Sequence, residues 1–489
     1  MPPTLFETSV PIWRVFALLG STLGIAVGSA LLAMAIGVSM GLLLYLSGRK
    51  ATSLWIGALV LPLIWPPFQT AIGWMVLQGE SGITLFQKDS FDSWILSILF
   101  SPLGVILVHS VSFWPIPALL SWWGFLKLDR EMVDQLRVEG VSIIQSSLFL
   151  CRLNLVPISV SMLLVVIFSL GDIGAAELLQ VNTFPVLLYT ELNLIRTLGP
   201  VIRMSAPLLV FMAVGIAIWT SLRDRIRIET ETFEPLAAQD RWISPAYSRW
   251  LLSLLVLVGP GTVLATESVQ IVRDLSTIHL PLLTECLSAS IWTGIGAVLL
   301  GSLFLQCGLL VSGHRSVAWT IDCTSFLLFA IPAPVLALGL LKMFSSMGRI
   351  ALPLLDSFWI LSLACAIRFY WVAWSLVQSG RDRIPQSLED RMKTEGLSAW
   401  QRTRHIFNPL LRPQIMAGLT LVWALSLGEV TLTRILQPPG VQTLAARTVN
   451  FMHWGHDGMV AAGLVTVALL EFLPLLVYIG WKSVWGRTQ

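Results

Sequence analysis

Charge is what this sequence has least of. Asp, Glu, Lys and Arg make up 12% of its 489 residues, against 55% hydrophobic residues, and the mean hydropathy is +0.78. A soluble domain carries about twice that charge. The composition therefore excludes a water-soluble globular protein and indicates an integral membrane protein. The formal net charge of +3 is too small for a nucleic-acid surface. Cysteine is scarce too: Cys151, Cys286, Cys307, Cys323 and Cys365 lie in or beside apolar stretches without paired spacing. An odd, scattered set makes neither a disulfide framework nor a metal site and serves as buried apolar filler. The phosphate-binding sequence G-x-x-x-x-G-K-[ST] is absent, so the chain brings no P-loop of its own. The first hydrophobic segment lacks a basic start and a small-residue cleavage site, and it is too long for a removable signal peptide.

What is present is a series of apolar segments long enough to cross a bilayer. The first runs from about Gly24 to Leu46, and Trp13 to Leu23 is either an interfacial helix or its extension. Leu54 to Leu77 follows, with a kink expected at Trp65-Pro66-Pro67, then Leu96 to Trp123 with Pro115 and Pro117, Leu155 to Gly171 and Val201 to Leu222. Residues 172–200 read as polar and irregular. Residues 223–249 are charged, contain Pro235 and Pro245, and form a linker. Beyond them come Trp250–Thr266, Leu287–Val311, Val317–Phe344, Phe358–Val377, Ile415–Leu427 and Met459–Trp481. The expectation is an all-α membrane protein of about eleven spans. Its domains are a first half over 1–222, a cytosolic linker over 223–249 and a second half over 250–489.

Two polar islands organise these spans. Ser387 to Pro413 reads as helix, turn, helix: Ser387 with Asp390 resembles a capping box, Gly396 ends the helix, and Ser398 with Gln401 opens the next. Glutamate 131 to Pro157 repeats the design at a constant offset of 256 residues. Asp134 meets Asp390, Arg137 meets Lys393, Glu139-Gly140 meets Glu395-Gly396, and Ser142 and Gln145 meet Ser398 and Gln401. Met132 and Leu136 match Leu388 and Met392, which share one helix face. Elsewhere Phe113-Trp114 and Gly124 match Phe369-Tyr370 and Gly380, Pro66 matches Pro332, and Ser169-Leu170-Gly171-Asp172 matches Ser426-Leu427-Gly428-Glu429. With an odd span before the second repeat, both halves keep one orientation, a parallel duplication about an axis along the membrane normal. With the amino terminus outside and the carboxyl terminus in the cytosol, roughly twenty basic residues fall inside and about nine outside, as the positive-inside rule asks. Both islands then face the cytosol.

At these residues the chain resembles the membrane subunits of binding-protein-dependent ABC importers. Their hallmark is a cytosolic E-A-A-x-x-x-G loop followed about ten residues later by I-x-L-P. Asp390-Arg391-Met392 with Gly396, then Ile406-Phe407-Asn408-Pro409, fits that frame, and Asp134-Gln135-Leu136 with Gly140 fits its first half. Asp replaces Glu in both copies, neither Ala is present, and Leu153 stands where the first copy should have Pro, with Pro157 four residues later. The double-length form is most similar to the ferric-iron and thiamine permease branch. The resemblance implies a fused, two-repeat permease of the type I importer kind in a bacterial-type inner (plasma) membrane. It also implies a separate cytosolic ABC ATPase dimer that consumes the ATP, and an extracytoplasmic substrate-binding protein. No cofactor is expected in this chain. Asp134, Arg137, Glu139, Gly140, Asp390, Lys393, Glu395 and Gly396 become the ATPase-docking loops, the charged ones being otherwise solvated surface residues.

Charges in or beside apolar segments are costly and therefore informative. Asp172 and Glu429 end equivalent spans near the outer side and are candidates for a substrate path; two acids at one vestibule suit a cationic cargo such as ferric iron. Equally, each acid caps a chain reversal. Asp322, Glu471 and Arg368 also lie at or within spans, with interhelical hydrogen bonding or snorkelling as their alternative. His453, His456 and Asp457 are too few ligands for a metal site, and the 21 tryptophans anchor at interfaces. An ion-coupled secondary transporter would leave the duplicated polar islands unexplained. A membrane-bound enzyme would need acids or histidines clustered at one face, beyond that weak trio.

Overall fold

A chain this apolar satisfies its backbone N–H and C=O groups within each segment, so helices are the expected solution in lipid. The computed structural model describes residues 11–47, 59, 62–63, 65–78, 97–128, 130–195, 198–227, 243–313 and 315–485, and among them it is helical with no strand. The helices pack into two units, residues 1–196 with 206–266, and residues 197–205 with 267–489.

The first unit contains α1 (Ile12–Leu46), α2 (Pro67–Gln78), α3 (Pro102–Phe113), α4 (Pro115–Phe125), α5 (Arg130–Val138), α6 (Ile143–Leu153), α7 (Leu155–Gly171), α8 (Gly174–Leu178) and α9 (Phe184–Ile195). It also takes most of α10 (Leu198–Arg227), with α11 (Pro245–Val256) and the start of α12 (Thr262–Arg273). Its centre is α1, against which α3, α4 and α7 pack. Close approach is set by small residues, because lipid supplies little hydrophobic drive between helices. A Cβ at Gly37 would collide with the carbonyl oxygen of Trp114, and one at Gly41 with Ser121. Met40, Leu44, Trp114 and Ala118 fill the contact, joined by Leu59 and by Leu252 of α11.

The second unit contains α13 (Leu280–Val311), α14 (Arg315–Ala330), α15 (Ala333–Ser346), α16 (Trp359–Arg381), α17 (Gln386–Thr394), α18 (Ala399–Leu410), α19 (Arg412–Leu427), α20 (Thr431–Leu436), α21 (Leu444–His453) and α22 (Asp457–Trp485). Here α13, α16 and α19 form the packed centre. Buried Ser362 donates to the Thr293 carbonyl (3.1 Å), again where a glycine, Gly296, brings α13 and α16 close.

Among the described residues five helices are long and apolar enough to cross a membrane, and nine crossings result if each of four bent pairs counts as one. The bends follow the local chemistry. Pro115 removes a donor at the 43° bend between α3 and α4. Val317–Phe344, expected as one span, is two helices at 108°, because Pro332 (φ −55°, ψ 137°) lies outside the helical region and the next helix starts at Ala333 with Pro334 in its first turn. The expected irregular stretch 172–200 is corrected likewise: it holds α8 and α9. Trp13 to Leu23 proves to be an extension of the first span, since α1 is continuous from Ile12. Most of Leu54 to Trp65 and of the 223–249 linker lies outside the described residues.

Replacing Gly37 with Val is expected to force α1 from α4, because the obstruction is backbone and cannot rotate away. The cost should be roughly 1–3 kcal/mol. Gly20→Val in the same helix, where a Cβ meets nothing within 4 Å, is the control. Thermal melting of the two variants in detergent checks this; equal midpoints would show the contact to be loose.

Candidate functional site

The two polar islands fold as elbows with the same backbone design. After α5, the Val141 N–H reaches back to the Leu136 carbonyl (3.2 Å) across Gly140, whose φ is +69°. After α17, Leu397 does the same to Met392 (3.2 Å) across Gly396, φ +66°. This wrap satisfies the last carbonyls of each helix and requires a left-handed residue. A Cβ at either glycine would meet nothing within 4 Å, so the requirement is conformational and not spatial.

Each second helix starts at once. Ser398 accepts from the Gln401 N–H (3.2 Å) while Gln401 Oε1 accepts from the Ser398 N–H (2.9 Å), a complete capping box. Ser142 accepts from the Gln145 N–H (3.4 Å). Ser387 is not a cap: α17 already begins at Gln386, after Pro385, whose fixed φ suits a helix start.

The elbows are fastened to membrane helices rather than hanging from them. Val133 and Leu150 are fully buried against Tyr45 and Leu46 at the end of α1 and Phe125 at the end of α4, with Leu136 half-buried beside them. The Asn154 amide donates to the Ser121 carbonyl (2.8 Å), filling a space that exists because residue 124 is glycine. In the second unit Met392 and Phe407 are buried. Gln306 and Asn408 exchange two amide hydrogen bonds (both 3.2 Å). Arg381 donates to the Ser312 carbonyl and hydroxyl (3.0 and 2.7 Å) and lies over the Phe407 ring. Glu139, Gly140, Glu395 and Gly396 are exposed at the elbow tips, and Asp134 is half-buried. The side chains of Arg137, Asp390 and Lys393 lie outside the described residues. The hydrophobic residue that anchors α5, Val133, was missed by the repeat pattern because its counterpart is Glu389.

Asp172 and Glu429 also take up matching positions. Asp172 accepts from the Ala175 N–H (3.0 Å) and Glu429 from the Leu432 N–H (3.0 Å), so each caps the short helix that follows. Each is also matched by a base. His109, itself buried, places Nε2 at 3.0 Å from Asp172 and Nδ1 at 2.7 Å from Ser169. Arg368 lies 3.3 Å from Glu429. The bases were not expected as partners, because His109 aligns with Cys365 at the repeat offset and Arg368 with Ser112. Arg368, a span charge singled out in the sequence, is thus placed beside the other acid. Glu471 is fully buried with both oxygens unpaired. No group of three metal-ligating side chains occurs among the described residues, His453, His456 and Asp457 included.

Gly396→Val should strain the turn by about 1–2 kcal/mol and weaken ATPase capture while leaving membrane insertion intact. Gly396→Asn, which tolerates the left-handed region better, should retain more. Pull-down of the ATPase with each variant tests this, and wild-type capture by the valine variant would make the glycine incidental.

Comparison with known proteins adds two findings. The family model described as binding-protein-dependent transport system inner membrane component matches residues 295–479. A protein of Salmonella typhimurium with the provisional name 2-aminoethylphosphonate transport system permease protein is 31% identical over 200 residues, 40% of this chain and 72% of that protein. Its namesake in Salmonella paratyphi A is 30% identical over the same extent.

Proposed function

The chain belongs to the family of binding-protein-dependent transport inner membrane components and is a multi-pass permease subunit of an ABC transporter; from that premise we propose that it is a fused, two-repeat importer permease driven through its two elbows. The observation that carries this reading is the pair of positive-φ glycine elbows, each in contact with membrane helices of its own unit. A separate cytosolic ATPase dimer docks there, one subunit per elbow, through the exposed tips around Glu139 and Glu395 and the neighbouring Asp134, Arg137, Asp390 and Lys393. When the ATPase closes, a rigid elbow passes the movement to the helix that follows it.

Element order supports the duplication. The run α5 to α10 in the first half has its counterparts, in the same order, in α17 to α22. The α1–α9 contact, in which Thr22 accepts from the Phe184 N–H (2.8 Å), recurs as Ser290 accepting from the Leu444 N–H (2.7 Å). Nine crossings, with Leu54–Leu77 and Val201–Leu222 added, make the proposed eleven, with the amino terminus outside and the carboxyl terminus in the cytosol. The domain reading is a first repeat over 1–222, a linker over 223–249 and a second repeat over 250–489.

The cargo, delivered by an extracytoplasmic binding protein, is proposed to be a small aminophosphonate-like solute. The relatives' names support that class. Ferric iron is the second reading, favoured by the resemblance to the iron branch and by Asp172 and Glu429 as path residues. Both acids are already matched by His109 and Arg368, which weakens the case for a bare cation. Cells carrying the permease, ATPase and binding protein should take up labelled 2-aminoethylphosphonate in an ATP-dependent manner. Iron uptake without aminophosphonate uptake would reverse the two cargo readings. Reporter fusions after Arg227 and at the carboxyl terminus should both score cytosolic, and an outside signal at either would overturn the orientation.

A further inference from the structure

The second unit holds a cavity of about 290 Å³ between the start of α13, the start of α16 and the turn that leads into α21. Its lining includes the acid Glu285 and the base Arg447, with Trp292 and Phe358 among the aromatic residues beside them. The two charges are not spent on each other. Among the described residues Glu285 makes no ion pair. Arg447 donates to Gln442 Oε1 (2.7 Å) and rests over the Phe451 and Trp454 rings, while its Nε is buried without a hydrogen-bond partner. A guanidinium placed over two rings with an unused Nε–H is prepared for a tetrahedral or planar oxyanion. A carboxylate beside aromatic faces suits an ammonium group.

The fold does not require this pair. In the first unit the Thr22–Phe184 contact fixes the register against Ser290–Leu444, and by that register Ala17 and Leu187 stand where Glu285 and Arg447 stand. At the matching positions the first unit thus carries two apolar residues. The charges are an addition to the second half alone, at a cavity with room for a small molecule.

We propose that this cavity binds a small zwitterion bearing a primary ammonium and a phosphonate or phosphate group, the ammonium at Glu285 and the oxyanion at Arg447. On the orientation proposed above it opens near the outer face, within roughly two helical turns of the start of α13. One ligand chemistry has two sources there: the free aminophosphonate, in which case the site deepens the cargo reading and rests on it, and the phosphoethanolamine headgroup of a membrane lipid.

The test uses the permease–ATPase complex in phosphatidylglycerol nanodiscs, with calorimetric binding of 2-aminoethylphosphonate and of ethylphosphonate, which lacks the amine. A second arm counts phosphatidylethanolamine retained by the complex in native mass spectrometry. Glu285→Gln alters an exposed residue and should fold; Arg447→Lys keeps the charge while losing the fork. If the solute is the ligand, Glu285→Gln weakens 2-aminoethylphosphonate about tenfold or more and leaves ethylphosphonate unchanged, whereas Arg447→Lys weakens both. If the lipid is the ligand, neither solute binds, and about one phosphatidylethanolamine is retained by the wild type and lost from Glu285→Gln. Binding of solute and lipid that is absent, or indifferent to both substitutions, overturns the proposal. Uptake separates the two readings. Normal aminophosphonate uptake with no site binding removes the site and leaves the cargo, while site-bound lipid without aminophosphonate uptake removes the cargo and leaves the site.

Discussion

A single left-handed residue between two short helices is the constraint on which the mechanical design depends. Gly140 and Gly396 fix the angle of each elbow through backbone geometry alone, since no neighbouring atom limits a side chain there. An angle is useful only if both arms are held. In the first unit Val133 and Leu150 bury against the ends of α1 and α4, so displacing the elbow displaces those helices too. The second unit fastens its second arm through the Gln306–Asn408 amide pair and the Arg381 guanidinium over the Phe407 ring. Such bonds carry more weight where water is scarce, because leaving a partner unpaired is costly.

Helix packing in the spans follows a related logic. Where apolar side chains gain little by leaving lipid, contact is decided by how near two backbones come. Gly37 and Gly41 on α1 and Gly296 on α13 are the points of nearest approach. Buried charge is managed by pairing: His109 with Asp172 and Arg368 with Glu429, each acid also capping a helix. The two acids thus sit beside bases of different type, His109 and Arg368.

Much of this was legible from residue pattern. The elbows were read from Glu-Gly followed by Ser-x-x-Gln, because capping and left-handed turns are local chemistry with few alternatives. Span positions followed from length and hydropathy, and Leu155–Gly171 needed no adjustment. The misses share a cause, which is that they depend on long-range placement. The 108° break at Pro332 is a matter of degree that a proline alone does not specify. Helices α8 and α9 were hidden because short polar-capped helices lack a long apolar run. The His109 and Arg368 pairings join residues about sixty apart in sequence, and nothing local announces them.

The central claim is that each elbow tip seats one ATPase subunit. Cysteines placed at Glu139 and Glu395, in a chain whose five native cysteines have been replaced, allow a direct measurement by cross-linking within the assembled complex. The account predicts that either position captures the ATPase and that both together capture two ATPase subunits per permease chain, with yield changing when ATP is bound. Capture at neither position, or at one alone while two ATPase subunits remain bound, would contradict it.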